Sequence, residues 1–377
     1  MKSRSVVPAW VRENFPMVMT GTSPGRRSSL AQAADSLRLQ CPSVLYLLDG
    51  PTFPVGDGGS WLKSLILTSL AKFGAGAAAV APQLGADDAL QYERMGVNVI
   101  WLDPEDYFGD GLLALCRTPV SWVFTDSLET SSRTIGCTKS ADRAVLMMDD
   151  YASNRGRNRI GDVSEHHSRV VQGIIDTSRL TIWRSSRDMA SYVVPADRSL
   201  VVDGFERRDE VGICAEGPVA MLANFMYPPN REALIQLIGL DWGGRQLKLI
   251  GRIDRDLHSA ATRLGHICTG LVPDPREELM GCSAGIDPVT QGSGLSTKLT
   301  VYVSVGLPAI ATEVAVRGLD PDLVRFLTIM DDSSQLPRLT ETWDYPKMCK
   351  AAKQARGYAR ANHDLSNQLN RLSELMS

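Results

Sequence analysis

A repeated alternation of short apolar runs with longer amphipathic segments constrains the fold of this chain most. The first half holds apolar runs of strand length at residues 44–48, 77–81, 97–102, 121–124, 144–148, 180–183 and 200–202. Between two of them, residues 61–73 carry apolar side chains three and four positions apart, the spacing of a helix that buries one face. Strands that alternate with such helices are typical of a parallel sheet covered by helices. The first half is therefore predicted to be α/β.

The alternation stops in a polar stretch at residues 204–217 and then starts again. Further strands are predicted at residues 219–222, 247–250, 266–268, 285–287 and 309–311, with helices that begin near Pro229, Leu257, Pro275 and Ser296. The last stretch, residues 345–376, is rich in Ala, Lys and Leu and predicts one long helix or a pair of helices. A length of 377 residues fits two domains of ordinary size. We therefore predict a first domain over residues 1–210 and a second over 211–345.

The net charge indicates which partners the chain can bind, and its cysteines indicate where it is located. The formal net charge is −3, so the chain lacks the basic surplus that proteins use to neutralise nucleic-acid phosphates. The seven cysteines are scattered, without a CxxC pair, and read as reduced thiols of a cytoplasmic protein. We expect no nucleic-acid partner.

The apolar runs are too short for a membrane span, which needs roughly 20 consecutive apolar residues. The first residues also lack the apolar core of a secretory signal. The expected location is the cytoplasm, and peripheral contact with the inner face of the membrane stays open.

A glycine-containing loop before a helix start is the strongest local signal. Gly292, Ser293 and Gly294 follow a predicted strand, and Ser296 and Thr297 can cap the next helix. Lys298 adds a full positive charge in the first turn, so backbone N–H groups and an ammonium group could together hold a diphosphate. The order of residues is not that of a P-loop. An ordinary capped helix after a turn is the alternative.

The wider segment from Asp287 to Thr312 resembles the donor-binding segment of bacterial family 4 glycosyltransferases of the GT-B type. The resemblance lies in Lys298-Leu299, Tyr302 and Gly306-Leu307-Pro308 at that family's spacing. Upstream, residues 221–238, 247–252 and 272–289 are similar to the first strand and helix, the second strand and the base-binding segment of the same domain.

The resemblance implies an α/β GT-B fold in which two Rossmann-like domains face each other across a cleft. It implies a first domain on the acceptor side, a second that binds the donor, and a C-terminal segment, residues 346–377, that returns to the first domain. The implied activity is transfer of a sugar from a UDP-, GDP- or dTDP-sugar to a glycan, lipid-linked or small-molecule acceptor in polysaccharide or glycoconjugate biosynthesis, with retention and without a metal or other cofactor. The implied donor-binding residues are Gly292, Ser293, Gly294, Ser296, Thr297, Lys298, Tyr302, Asn224, Arg252 and Val272.

One departure from the family pattern concerns two glutamates, eight positions apart, that many members place near the sugar and the ribose. Ser293 and Val301 occupy those positions here. A galactofuranosyltransferase-like subset also has an apolar residue at the second position. The departure favours one alternative, an inactive sugar-nucleotide-binding partner of another transferase. A GT-B-fold sugar-nucleotide epimerase is a further alternative, for which the sequence shows no carboxylate- and histidine-rich cleft.

Two features of the first half are candidates for the acceptor side. Gly58 and Gly59 follow the first strand and could let an acceptor or phosphate approach the backbone, or they form a plain turn. Asp149 and Asp150 directly follow a predicted strand, at the carboxyl edge of the sheet, where such sheets bind ligands. One of them, by preference Asp150, is predicted to serve as the catalytic carboxylate. Helix capping or exposure to solvent is the alternative for this pair.

Overall fold

In a computed structural model of the protein, the described residues form two separate parallel sheets. The structure describes residues 44–47, 66, 77–81, 97–102, 122–125, 144–148, 165–272, 274–292, 294–337 and 342–376. The first sheet ends at Val201 and the second begins at Val219, so the chain crosses between them in a connector, residues 202–218.

Within the described residues, the first sheet has seven strands in the order β3-β2-β1-β4-β5-β6-β7, and these strands pair in parallel. Its strands are β1 Val44–Leu47, β2 Ala77–Ala81, β3 Val97–Trp101, β4 Trp122–Thr125, β5 Ala144–Met148, β6 Leu180–Trp183 and β7 Ser199–Val201. Strands β1, β4 and β6 are buried along their whole length, which is why they read as unbroken apolar runs. The described helices of this half are α1 Glu165–Thr177 and α2 Ser186–Met189.

The second sheet, as far as the structure describes the chain, has six parallel strands in the order β10-β9-β8-β11-β12-β13. Its strands are β8 Val219–Leu222, β9 Leu247–Ile250, β10 Ile267–Gly270, β11 Ala284–Asp287, β12 Ala309–Thr312 and β13 Thr328–Met330. The strand order reverses between β8 and β11. Open α/β sheets bind ligands beyond the carboxyl ends of their strands at such a reversal.

Helices of the second half follow its strands, and several begin at a sequence signal. They are α3 Pro228–Ile238, α4 Arg255–Arg263, α5 Pro275–Leu279, α6 Thr297–Val305, α7 Glu313–Val316 and α8 Pro321–Val324. Proline occupies the first turn of α3 and α5, where its missing N–H costs nothing. Ser296 caps α6, and Gly306 ends it with a φ of 76°.

The C-terminal segment forms a pair of helices, α9 Tyr345–Asn362 and α10 Leu365–Met376. Helix α9 packs against α6, and α10 lies against β7. At the end of α10, the Trp122 Nε1–H of β4 donates to the Met376 carbonyl at 3.0 Å. The C-terminal helices therefore contact both halves of the chain.

The structure confirms the predicted α/β class and each predicted strand, with ends shifted by a few residues. Strand β13 was not predicted. Of the predicted helix at 61–73, only Ile66 lies within the described residues, where it is helical and buried. The domain limits 1–210, 211–345 and 346–377 stay a prediction. Across the part of the chain that the structure describes, no helix has the length and apolar character that a membrane span requires.

Candidate functional site

A buried carboxylate at the carboxyl end of β11 is the centre of the candidate site. Asp287 is the last residue of that strand and is fully buried. Lys298, in the first turn of α6, donates from Nζ to Asp287 Oδ1 at 2.7 Å and to Asn230 Oδ1 at 2.9 Å. A buried charge requires an opposite charge and hydrogen bonds, and Asp287 has both.

The start of α6 is attached to the same carboxylate. Ser296 caps the helix, its hydroxyl accepting from Leu299 N, and it donates to Asp287 Oδ2. Both oxygens of Asp287 are therefore engaged by the first residues of one helix. Thr297, the first helical residue, is partly exposed, and its carbonyl accepts from the Thr300 hydroxyl. This arrangement fixes the direction of the helix N-terminus relative to the strand end.

The ammonium group of Lys298 has one N–H group that is not used by Asp287 or Asn230. An ammonium has three N–H groups, and the hydrogen bonds to Asp287 and Asn230 use two. The Lys298 side chain is 14% exposed, so its remaining N–H can reach a ligand at the surface of the site. The Asp287–Lys298 pair is neutral overall, and an anion here would also rely on the partial positive charge of nearby helix starts.

The glycine loop lies directly before this helix. Gly292 and Gly294 have φ values of 129° and 71°, which favour glycine. Gly318, which follows α7, packs against the loop: a Cβ at Gly318 would lie 2.6 Å from the Gly294 carbonyl oxygen. Ser293 lies outside the described residues.

Asn224 and Arg252 lie together at the carboxyl ends of β8 and β9. Asn224 Oδ1 accepts from Met226 N at 3.0 Å, and its carbonyl accepts from Asn230 Nδ2 at 3.0 Å. Phe225 N donates to the carbonyl of Arg252, whose side chain is exposed. Asn230 thus connects this turn, at the start of α3, to Lys298.

Val272 lies farther along the sheet, in the loop after β10, two strands from β8. The loop ends at Asp274, which caps α5 and pairs with Arg208 of the connector at 2.8 Å. Among the described residues, the hydrogen bonds and ion pair of Lys298 go to Asn230 and Asp287 and not to this loop.

Tyr302 is placed in the core and not at the surface of the site. Its side chain is fully buried, and its hydroxyl accepts from Leu222 N at 2.7 Å. A Cβ at Gly285 would lie 2.6 Å from the Tyr302 ring, so the ring packs flat against β11. Burial strongly raises the pKa of the Tyr302 hydroxyl, which stays neutral. The ring supports β8 and β11 from behind the site.

Other predicted site residues lie outside the described residues: Asp149, Asp150, Gly58 and Gly59. Val301, at the position of the second family glutamate, is partly buried and packs against the core.

Three residues of the site were not singled out from the sequence: Asp287, Asn230 and Gly318. Asp287 has the signal that was used for Asp149 and Asp150, an acidic residue at the end of an apolar strand. Asn230 lies 68 residues from Lys298, so only the strand order brings them together. Gly318 has no neighbouring motif in the sequence.

Comparisons with known proteins give likenesses of structure. No protein-family model and no curated protein matches the chain. The structure of Anabaena HepE in complex with UDP and glucose aligns with a TM-score of 0.66 at 16% identity over 88% of this chain and 98% of that one. A glycosyltransferase from Rickettsia africae (11% identity) and the sucrose-phosphate synthase of Thermosynechococcus elongatus (12%) each align with a TM-score of 0.64, over 88% of this chain and 97% of theirs. These neighbours are GT-B glycosyltransferases. The chain therefore has the GT-B fold.

Proposed function

We propose that this chain is a glycosyltransferase that moves a sugar from a nucleoside-diphosphate sugar to an acceptor hydroxyl. The observation that carries the proposal is the Lys298 ammonium, held by Asp287 and Asn230 at the strand reversal of a GT-B fold. It lies where two helices, α3 and α6, both begin. Helix starts and an ammonium group suit the diphosphate of an activated donor.

The described contacts support the donor site that we propose. Gly292 and Gly294 bring backbone N–H groups to the phosphates, and Ser296, Thr297 and Lys298 complete the helix start. Asn224, Arg252 and Val272 line the carboxyl ends of the neighbouring strands, on the side assigned to the nucleoside. Tyr302 supports the site from the core. The binding of UDP-glucose by HepE favours a UDP-sugar over GDP- and dTDP-sugars.

The finer assignments belong to the same proposal. We place the chain near family 4, with a galactofuranosyltransferase-like variant of the donor motif because Val301 is apolar. Retention of the anomeric configuration follows from that placement. The leaving diphosphate would be stabilised by Lys298 and the helix starts, so the proposal requires no metal or other cofactor. On the acceptor side, Asp150 or Asp149, which follow β5 in sequence, would hold or deprotonate the acceptor hydroxyl, and Gly58 and Gly59 would let the acceptor or a phosphate approach the backbone.

A second candidate function is supported by one observation, the absence of the family glutamates at Ser293 and Val301. A chain without them could bind a sugar nucleotide and serve as the inactive partner of another transferase. The epimerase alternative has no such observation in its favour.

One screen separates these functions. Purified protein is mixed with UDP-, GDP- and dTDP-sugars, and both thermal unfolding and the products are followed. A bound donor stabilises the fold by roughly 2.7 kcal/mol at about 100 times its dissociation constant. The proposal predicts stabilisation by one class of donor and slow release of free nucleotide. Stabilisation without release indicates the inactive partner, and a changed sugar on an intact nucleotide indicates an epimerase. No stabilisation by any donor would contradict the proposal.

A further inference from the structure

His363 lies at the corner between α9 and α10, with a carboxylate at each ring nitrogen. Nδ1 is 2.5 Å from Asp203 Oδ2, and Nε2 is 3.0 Å from Asp320 Oδ2. Asp203 follows β7 of the first sheet, whereas Asp320 caps α8 in the second half. One imidazole ring therefore connects residues from both halves of the chain.

The geometry favours the protonated ring. A neutral imidazole has one N–H, so a lone pair of its other nitrogen would face a carboxylate oxygen. Only the imidazolium donates to both Asp203 and Asp320. Burial lowers the pKa of His363, but the hydrogen bonds and charges of the two carboxylates raise it by more, and the net shift is upward.

The other described polar groups that contact the two carboxylates are neutral, so the His363 ring provides the positive charge that Asp203 and Asp320 share. From α9, the Tyr358 hydroxyl donates to Asp320 Oδ2 at 2.9 Å. From α10, Gln368 Nε2 donates to Asp203 Oδ1 at 2.8 Å. The Phe205 and Tyr358 rings flank the imidazole with centroids 5.6 and 5.8 Å away.

Two ion pairs formed by residues close in sequence to this cluster do not involve the ring. Arg207 pairs with Asp364 at 2.5 Å, and Arg325 pairs with Asp322 at 3.1 Å. When His363 loses its proton, the carboxylates of Asp203 and Asp320 therefore lose the cation that they share.

The α9–α10 corner connects the two halves of the chain, because the two helices pack against different halves. Helix α9 packs against α6, the helix that Ser296 caps, and α10 packs against β7 of the first sheet. We propose that His363 is a pH-sensitive clamp, which holds the α9–α10 corner to both halves while protonated and loosens it on deprotonation. The clamp is independent of the donor chemistry proposed above.

The sign of the pH effect follows from the upward shift of the pKa. Protonated His363 stabilises the fold fully below the unfolded pKa of about 6.5. This stabilisation is lost as pH rises through the higher folded pKa. Neutral to mildly alkaline pH is therefore the range in which the corner loosens.

The test compares the wild type with His363→Gln and with His258→Gln, a control on the exposed side of α4. Thermal unfolding is followed from about pH 6 to 9. We expect the midpoint of the wild type and of His258→Gln to fall with pH relative to that of His363→Gln. At pH 6.5, hydrogen exchange of residues 203–211 and 365–376 should be faster in His363→Gln than in the other two proteins. Equal pH profiles and equal exchange in all three would overturn the clamp.

A measurement on the wild type keeps the proposal testable even if His363→Gln does not fold. The chain has five histidines, and NMR titration resolves their imidazole signals. The His363 signal is assigned as the one whose pKa falls in Asp203→Asn. We expect it to titrate above pH 6.5 in the wild type. A ring that titrates at or below that value would overturn the proposal.

Discussion

At the scale of single residues, replacing Lys298 affects stability because Asp287 depends on its charge. Its carboxylate is fully buried, and Lys298 provides its opposite charge at 2.7 Å. Removal of one member of a buried ion pair costs about 3–5 kcal/mol because the other charge stays in the interior. We expect Lys298→Ala to lower the free energy of unfolding by about 3 kcal/mol, measured with urea. The control is Lys350→Ala on the exposed side of α9. Equal stability of both variants would show that the buried Asp287 carboxylate does not need the Lys298 ammonium.

Tyr302 provides a second residue-scale prediction. Tyr302→Phe removes the oxygen that accepts from Leu222 N in the core. A buried N–H without a partner costs about 1–3 kcal/mol, and we expect this loss of stability in urea unfolding. Donor affinity of the folded variant should change little, because the ring remains against Gly285. Lower donor affinity at unchanged stability would instead indicate direct contact between the hydroxyl and the donor.

Asp149 and Asp150 are predicted from the sequence alone to differ in role. Successive strand side chains point to opposite faces, so only one of the two should face the second domain. We expect Asp150→Asn to lower turnover by roughly 10²- to 10⁴-fold, with fold and donor affinity preserved. Asp149→Asn should do much less. Equal, small effects in both variants would indicate a solvated turn.

At the scale of elements, the contact between Gly318 and the glycine loop predicts coupling between them. A Cβ at Gly318 would lie 2.6 Å from the Gly294 carbonyl and 2.8 Å from Leu295 Cα. Gly318→Ala must therefore displace the loop, at a cost of about 1–3 kcal/mol, and we expect weaker binding of the donor in a thermal shift titration. Gly239→Ala is the matched control, because its Cβ would meet nothing within 4 Å. Unchanged donor binding in Gly318→Ala would show that the position of the glycine loop does not affect the donor site.

The elements that could be predicted are those whose burial appears in local sequence. Central strands such as β4 and β8 are buried on both faces and read as apolar runs. Strand β13 was missed because it has three residues, lies at a sheet edge and exposes Ile329. Prolines in the first turns of α3 and α5 marked helix starts correctly.

The site was only partly predictable, because some of its residues belong to a local motif and others meet only through the fold. Ser296 and Lys298 belong to a local motif, a glycine loop before a capped helix. Asn230 and Gly318 act through contacts between distant segments, which the strand order and the close approach of backbones create. The core position of Tyr302 also required the structure, since an aromatic residue in a helix can face either way.

At the scale of the whole molecule, the chain has the GT-B fold, and the donor site that we propose lies in its second half. The likeness to HepE covers 88% of the chain at 16% identity, so it reaches both sheets. The central claim is that the Lys298 ammonium at the start of α6 binds the diphosphate of a nucleotide sugar. The test must remove this charge without leaving Asp287 buried and unpaired.

A double variant, Asp287→Asn with Lys298→Gln, meets that requirement, since a neutral hydrogen-bonded pair replaces the ion pair. Calorimetric titration with UDP compares it with Asp287→Asn alone, so the difference reports on the ammonium. A charge-assisted hydrogen bond contributes about 1.5–3 kcal/mol. We predict that the double variant binds UDP roughly 10- to 150-fold more weakly than Asp287→Asn. Equal affinity in two folded variants would contradict the assignment of Lys298 to the donor diphosphate.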